Sequence, residues 1–367
     1  MPRYLVTGGA GFIGRHLVRE LLSHGAEVRV LDSLIEQVHG PDPAPPAEIE
    51  GAELQRGDIR DAAAVARAVA GVDGVFHLAA EVGVGQSMYE IDRYTAVNEL
   101  GTAVLFQALV ERPVRRVVVA SSMSVYGEGL YRDAEGRPVV DAVRGPTEAG
   151  WDPRDAQGRP LTPVPTPESK PPNLASVYAL GKYGQERMTH IVGRAYGIES
   201  VALRMFNVYG PGQALSNPYT GVLAIFASRL SHGQRPLVFE DGAQRRDFVH
   251  VEDIARAFRA AMERPEAAGE TLNVASGRSV SISEVARAMA VAMNRPELTP
   301  QMVGRARSGD VRHCFADIAR ARETLGFEPR RGFGDSLGEL AEWVASQECE
   351  DRVDHAASEL AARGLVA

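Results

Sequence analysis

The 367-residue sequence predicts an α/β protein built on a doubly wound parallel sheet, with a smaller mixed α/β lobe at its C-terminal end. Three observations predict it. From Arg3 to about Gly127, short Val/Leu/Ile/Phe runs alternate with helical stretches, the pattern of successive βαβ units. A glycine-rich turn follows the first apolar run directly. Beyond about residue 204, strands and helices mix less regularly.

The elements follow in order. Strands are predicted at Arg3–Thr7, Glu27–Asp32, Glu53–Gly57, Gly74–Leu78 and Arg116–Ala120. In the first helix Ile13, Leu17 and Leu21, with Val18 and Leu22 beside them, form an apolar stripe at helical spacing that faces the sheet. Tyr131 to Asn173 is rich in Pro, Gly, Asp, Arg and Thr without sustained periodicity, and is too long for a mere connection; it is expected to be an ordered insertion. A helix from about Ser176 to Tyr196 and a strand at Ser200 to Arg204 come next. Ser281-Ile282-Ser283-Glu284 forms a capping box ahead of a helix carrying Val285, Met289 and Met293. Asp317 to Leu325, stopped by Gly326, and two helices between Phe333 and Gly364 complete the chain, with no internal repeat apparent. The expected division is a sheet domain over 1–203, with the insertion at about 131–173, and a second lobe occupying most of 204–367. The chain may be read as returning to the sheet at about 237–275.

A hydrophobic content of 44% supports a large buried core. The net charge of -8, with basic residues scattered singly or in pairs, argues against nucleic acid or an anionic membrane as partner. Two cysteines, Cys314 and Cys349, are too few for a disulfide framework or a cysteine-based metal site; no metal is predicted, and a reducing cytoplasm fits. The first strand begins almost at once, without the charged leader of a signal peptide. No apolar run approaches the roughly 20 residues of a membrane span, so a cytoplasmic location is expected.

Gly8-Gly9-Ala10-Gly11-Phe12-Ile13-Gly14 lies between the first strand and the first helix, where a dinucleotide pyrophosphate needs close backbone approach to a helix N-terminus. This is the sequence context of a Rossmann fold. Asp32 ends the second strand, where its carboxylate can accept both ribose hydroxyls of an adenosine, and no Arg or Lys follows at once to take a 2′-phosphate; NAD is favoured over NADP. Asp58 and Ile59 end the third strand, within reach of an adenine. Leu78, Ala79 and Ala80 end the fourth beside the nicotinamide path, next to His77, which is read as structural.

Tyr178 and Lys182, at i and i+4, share one helix face. A phenol is a poor base at neutral pH, but an ammonium and a positive nicotinamide ring both favour phenolate, so Tyr178 could take an alcohol proton as hydride leaves. Ser122 follows the fifth strand at the carboxyl edge of the sheet and could hydrogen-bond the reacting oxygen.

The glycine triplet, Asp32, Ser122, Tyr178 and Lys182 resemble, in order and over nearly the whole chain, the extended short-chain dehydrogenase/reductase family. Beyond that core the chain is similar to its NAD-dependent nucleotide-sugar epimerase/dehydratase branch. Arg204-Met205-Phe206-Asn207-Val208-Tyr209-Gly210-Pro211 looks like the family's R-x-x-N-x-Y-G-P segment. The resemblance implies that Asn207 and Arg246 bind the substrate's diphosphate, that Arg307 and Asp310 bind its nucleotide, and that Cys314 borders a roomy sugar pocket. It also implies a homodimer through the helix after Asn98 and the Tyr178 helix, with Asn98 supporting cofactor and active-site hydrogen bonds. In dehydrating relatives the positions of Met123 and Ser124 hold an Asp and a Glu that eliminate water; neither residue here can do that, so transient oxidation at sugar carbon 4 with hydride return to the opposite face is the expected use of NAD. Within the branch, Val82 to Tyr89, Ser121 to Tyr131 and Gln213 to Ala227 are most similar to dTDP-L-rhamnose 4-epimerase-like proteins, implying dTDP-L-rhamnose/dTDP-6-deoxy-L-talose as substrate pair. The alternatives are 4-epimerisation of a UDP-sugar (glucose, glucuronate or N-acetylglucosamine), a nucleotide-sugar dehydrogenase or reductase, and a non-catalytic NAD-binding regulator.

Overall fold

A computed structural model describes residues 1–41, 43–143, 150–215, 217, 219, 221–307, 309–347, 351 and 353–366; Cys349 lies outside them. Strands β1 (Arg3–Thr7), β2 (Glu27–Asp32), β3 (Glu53–Arg56), β4 (Gly74–His77) and β5 (Arg116–Ser122) fall where the alternation predicts them, within two residues. Three short strands, β6 (Leu130–Arg132), β7 (Pro138–Val139) and β8 (Thr162–Val164), lie in the insertion. Then come β9 (Glu199–Met205), β10 (Asn207–Tyr209), β11 (Leu237–Val238), β12 (Arg245–His250), β13 (Thr271–Val274), β14 (Ser279–Ser281), β15 (Gln301–Met302) and β16 (His313–Cys314).

Seven strands form the main sheet in the order β13-β9-β5-β4-β1-β2-β3, every neighbouring pair parallel. It is the predicted doubly wound sheet. Period-2 alternation sends adjacent residues of one strand to opposite layers. Tyr4 and Val6 pack with Leu17 and Leu21 of the helix Phe12–Ser23 and with Phe258 of the helix Val251–Glu263, whereas Leu5 packs with Val65 of Ala62–Ala68 and Leu105 of Gly101–Glu111. Each such fully buried Leu or Phe contributes about 1.5–3 kcal/mol. Thr271–Val274 and the helix Val251–Glu263 belong to this layered core although they follow elements of the other lobe.

The C-terminal lobe is smaller and mixed. β12 pairs parallel with β10 and β16 and antiparallel with β14. Helices Val222–Ser231, Ile282–Ala292 and Phe333–Ala345 close a second core around Phe226, Met289 and Leu340. The Ser281/Glu284 capping box forms as predicted, and Gly326 adopts the left-handed conformation that ends Ala319–Leu325.

The insertion contains a repeat that the sequence reading misses. Arg132-Asp133-Ala134-Glu135-Gly136-Arg137-Pro138 recurs, with one change, as Arg154-Asp155-Ala156-Gln157-Gly158-Arg159-Pro160. Both form the same turn. Asp133 Oδ1 accepts from Arg137 N and Asp155 Oδ1 from Arg159 N, each at 2.8 Å, and both glycines stand at φ +79°. Arg132 and Arg154 donate to the carbonyls of Gly136 and Gly158 at 2.6 and 2.7 Å. Arg159 then bridges the two turns, donating to both Glu135 oxygens at 2.7 and 3.0 Å.

Charge holds these turns. At Asp133 and Asp155 desolvation pushes the carboxyl up, but the backbone N–H and guanidinium of Arg137 and Arg159 outweigh it; at Glu135 the Arg159 guanidinium has the largest effect, and all three end below the usual carboxylate range. A carboxylate with a depressed folded-state pKa stabilises above its unfolded value, and that contribution is lost as pH falls through the folded value. Amide protection at Arg137 and Arg159 is therefore expected to hold at neutral pH and to collapse below about pH 4, ahead of protection in β1 and β5. Protection that falls in step with the main sheet would refute the charge account.

Candidate active site

Strand β1 lies between β2 and β4, and the chain winds outward from it in both directions. Such a switch point opens a crevice beyond the carboxyl ends of the strands. A cleft of about 410 Å³ occupies it, within the roughly 300–1,000 Å³ of cofactor and small-ligand sites.

At one end lies the glycine turn, with Gly8, Gly11, Phe12, Ile13 and Gly14 in the cleft wall. Gly8 has φ +70°, and a Cβ on it would lie 2.8 Å from Ala79 N; on Gly14 a Cβ would lie 2.1 Å from Gly8 O. Gly11 precedes the helix Phe12–Ser23 and offers no side-chain cap. First-turn N–H groups are thus left for an anion. Asp32 Oδ2 accepts from Ala10 N and Oδ1 from Leu34 N, both at 2.9 Å, so it ties the turn to the end of β2 while lining the cleft. Asp58 and Ile59 also line it, with Asp58 held by Arg60, whose guanidinium bonds keep that carboxyl below its ordinary range against the effect of burial.

Leu78, Ala79 and Ala80 form the wall beyond β4. Asn98 does not line the cleft. It is fully buried behind it, where Oδ1 accepts from Glu81 N at 2.8 Å and Nδ2 donates to Glu81 O at 3.2 Å, fixing the turn after Ala80 from the rear. His77 is equally enclosed, bonded to Thr7 and Thr102, and burial pushes it down to about 3.

Ser122, Tyr178 and Lys182 meet in the cleft. Ser176 caps the helix Val177–Tyr196, so Tyr178 sits in its first turn and Lys182 one turn on. Lys182 Nζ donates to Ala120 O at 2.9 Å, and burial pushes the ammonium down to about 7. Burial is the largest influence on Tyr178 and raises its phenol, while a hydrogen bond from Ser122 pulls it down. A buried ion pair locks this geometry: Arg204 Nη2 to Glu186 Oε1 at 2.7 Å, with Ser121 Oγ donating to the same carboxylate at 2.7 Å. It joins the Tyr178 helix to the end of β5.

On the substrate side, Asn207 lines the cleft, and its Oδ1 is buried without a partner among the described residues. Arg246, Arg307 and Asp310 come together but do not reach the cleft wall. Arg246 donates to Asp310 Oδ1 at 3.0 Å and to the carbonyls of Arg245, Val311 and Arg312, and Arg307 donates to Asp310 Oδ2 at 2.8 Å. A phosphate would have to exchange for these bonds. Cys314, opposite Arg246 in the β12–β16 pair, is enclosed in an apolar cluster and away from the cleft; burial pushes its thiol up to about 12.

The pattern of the NAD dependent epimerase/dehydratase family matches residues 4–275. The chain belongs to this family. A dTDP-L-rhamnose 4-epimerase of Burkholderia thailandensis is 36% identical over 353 residues, 94% of this chain and 95% of that protein. Among solved structures, the UDP-glucose 4-epimerase of Thermotoga maritima with UDP-glucose matches with TM-score 0.75 and 29% identity over 94% of this chain and 98% of its own. The UDP-glucose 4-epimerase of Thermus thermophilus with NAD matches with TM-score 0.74 and 30% identity, covering 94% and 100%. NAD is the cofactor of the epimerase/dehydratase family, and the side-chain-free glycine turn and uncapped helix end fit its pyrophosphate.

Sequence reasoning missed several cleft residues of this family member. Glu81, paired with Arg93 at 2.8 Å, directly follows the Leu78-Ala79-Ala80 segment and was one step away. Gln213, two residues past the Asn207 segment, lines the cleft with its Oε1 buried and unpartnered among the described residues. Gln37, in the cleft wall, bonds Gln86 at 2.9 Å and has no signal in its local sequence.

Proposed function

We propose that this chain is an NAD-dependent nucleotide-sugar 4-epimerase acting on dTDP-L-rhamnose and dTDP-6-deoxy-L-talose. The observation that carries it is the Ser122/Tyr178/Lys182 group at the carboxyl end of β5, followed by Met123 and Ser124 and so by no carboxylate at either position. Met123 packs against the apolar cluster that contains Tyr126 and Phe206 and is not part of the cleft wall, and Ser124 carries only a hydroxyl. Elimination of water lacks its acid and base there, whereas oxidation and reduction at one carbon need neither.

Bound NAD supplies the acceptor for the carbon-4 hydride and the donor that returns it. Tyr178 Oη takes the 4-hydroxyl proton as the carbonyl forms and gives it back when the hydroxyl reforms on the other face. Ser122 donates to the reacting oxygen. Lys182 adds positive charge to the same helix face. Asn207 and Gln213, with unpartnered carboxamide oxygens, bind the nucleotide sugar, while Arg246, Arg307 and Asp310 anchor its nucleotide and diphosphate once their mutual bonds exchange. The similarity to the Burkholderia thailandensis relative supports the choice of substrate.

The purified protein is expected to interconvert the two epimers without added nicotinamide, followed by NMR of the sugar protons. UDP-glucose, UDP-glucuronate and UDP-N-acetylglucosamine are assayed in parallel. Turnover of one of these alone transfers the assignment to UDP-sugars; stoichiometric NADH establishes a dehydrogenase; no turnover at all, with NAD bound, establishes a regulator.

The protein works as a homodimer in the cytoplasm on this reading. Leu100, Leu180 and Ile191 are 54%, 50% and 60% exposed on the Asn98 and Tyr178 helices, apolar surface that a second copy would cover. No helix among the described residues is long and apolar enough to cross a membrane.

A further inference from the structure

Ser124 has no part in the scheme above, yet its side chain lies against the reacting group. Strand β5 ends at Ser122, and the chain turns at once through a 3-10 segment, Met123–Tyr126, with Ser122 as its N-cap. Ser124 N donates to Ser122 Oγ at 3.2 Å, and Ser124 Oγ donates to the same atom at 3.0 Å. A serine hydroxyl has two lone pairs and one proton. With both lone pairs engaged by Ser124, the remaining direction is that of the proton, which is left for Tyr178 and the cleft that Ser122 and Tyr178 both line.

We infer that Ser124 is a positioning residue for this reaction: its hydroxyl fixes the rotamer and polarity of Ser122 so that Ser122 acts only as a donor, its one proton shared between Tyr178 and the sugar oxygen. The backbone N–H alone leaves one lone pair open and lets the Ser122 hydroxyl rotate; the second bond closes that freedom. This is preorganisation of a donor where negative charge develops. The inference rests on Tyr178 and Ser122 acting as proposed.

Among the described residues, the ionisable groups around Ser122 and Tyr178 are Tyr94, from the helix Ile91–Thr95, Lys182, Glu81 in the cleft wall, and Glu186, which holds Ser121. None of them bonds Ser124. A substitution at Ser124 therefore acts on Tyr178 through Ser122. The hydroxyl also sits in a short turn, so a purely structural role has to be separated from a positioning one.

The experiment compares Ser124→Ala, Ser124→Thr and Ser122→Ala. Ser124→Ala is expected to lower kcat roughly three- to tenfold, the effect of one neutral hydrogen bond, with KM unchanged, and to move the acid limb of the kcat profile to higher pH. Ser124→Thr, which keeps the hydroxyl, is expected to restore both. A second readout needs no turnover: the ultraviolet phenolate signal of Tyr178, taken as the difference from Tyr178→Phe, titrates at higher pH in Ser124→Ala than in the parent protein. If Ser122→Ala is impaired while Ser124→Ala matches the parent, the inference fails and the catalytic reading stands. If Ser124→Ala and Ser124→Thr are equally slow with an unmoved profile, Ser124 is packing only. If Ser122→Ala is itself unimpaired, the catalytic reading fails with it.

Discussion

Tyr178→Phe is expected to lower kcat by about 10²- to 10⁴-fold, the usual contribution of a positioned acid–base group, with KM little changed and the thermal transition retained. The phenol is buried, which by itself raises its pKa. Three features oppose that: the Ser122 hydrogen bond, the position of Tyr178 in the first turn of its helix, where the helix dipole favours negative charge, and the cationic ring brought by NAD. Activity should rise with pH as the phenol ionises, because the protonated form cannot accept the sugar proton. Phenylalanine keeps the ring packing and deletes only the reacting oxygen, so a loss of turnover with intact NAD binding isolates the chemistry. Full turnover by Tyr178→Phe would falsify the mechanism.

Gly14→Ala is expected to lose NAD binding and to lower stability by about 1–3 kcal/mol through overpacking. An added Cβ falls 2.1 Å from Gly8 O and 2.6 Å from Gly9 Cα, and these are backbone atoms of the turn itself. The turn can make room only by opening the curve that approaches the pyrophosphate. Gly334→Ala is the matched control: it lies in the helix Phe333–Ala345 with nothing within 4 Å of its new Cβ, and helix propensity predicts a gain of about 0.5–1 kcal/mol. Calorimetric NAD titration and melting of both variants decide the matter. Gly14→Ala binding NAD like the parent protein would show that the close approach has slack.

Local pattern made the sheet readable. Strands β1, β2, β4 and β5 announce themselves through apolar residues, and the glycine turn, Asp32, Ser122 and Tyr178 each lie at the end of a recognisable element, with Lys182 one helical turn beyond Tyr178. What was hidden depends on pairing across long separations. Nothing in Thr271–Val274 says that it lies beside β9, and nothing around Asn98 says that its amide bonds the backbone of Glu81. Arg246 and Asp310 are 64 residues apart, and their mutual bond, which occupies donors assigned to a phosphate, exists only once β12 and β16 pair. The twin turns of the insertion were visible as letters but too short to register as a repeat. Hydrogen bonds matching at each step give them meaning.

The route of the backbone has a mechanical consequence. After β9 the chain enters the smaller lobe at β10, returns through Val251–Glu263 and β13, leaves again into β14, returns with Ala319–Leu325, whose Ala321 and Leu325 sit in the large core, and departs for Phe333–Ala345. The lobes are stitched, not strung. A protease cut at any one crossing leaves the others as tethers, so neither half can be released by a single nick, and any rocking of one lobe on the other flexes several strands of backbone in parallel instead of turning on one joint.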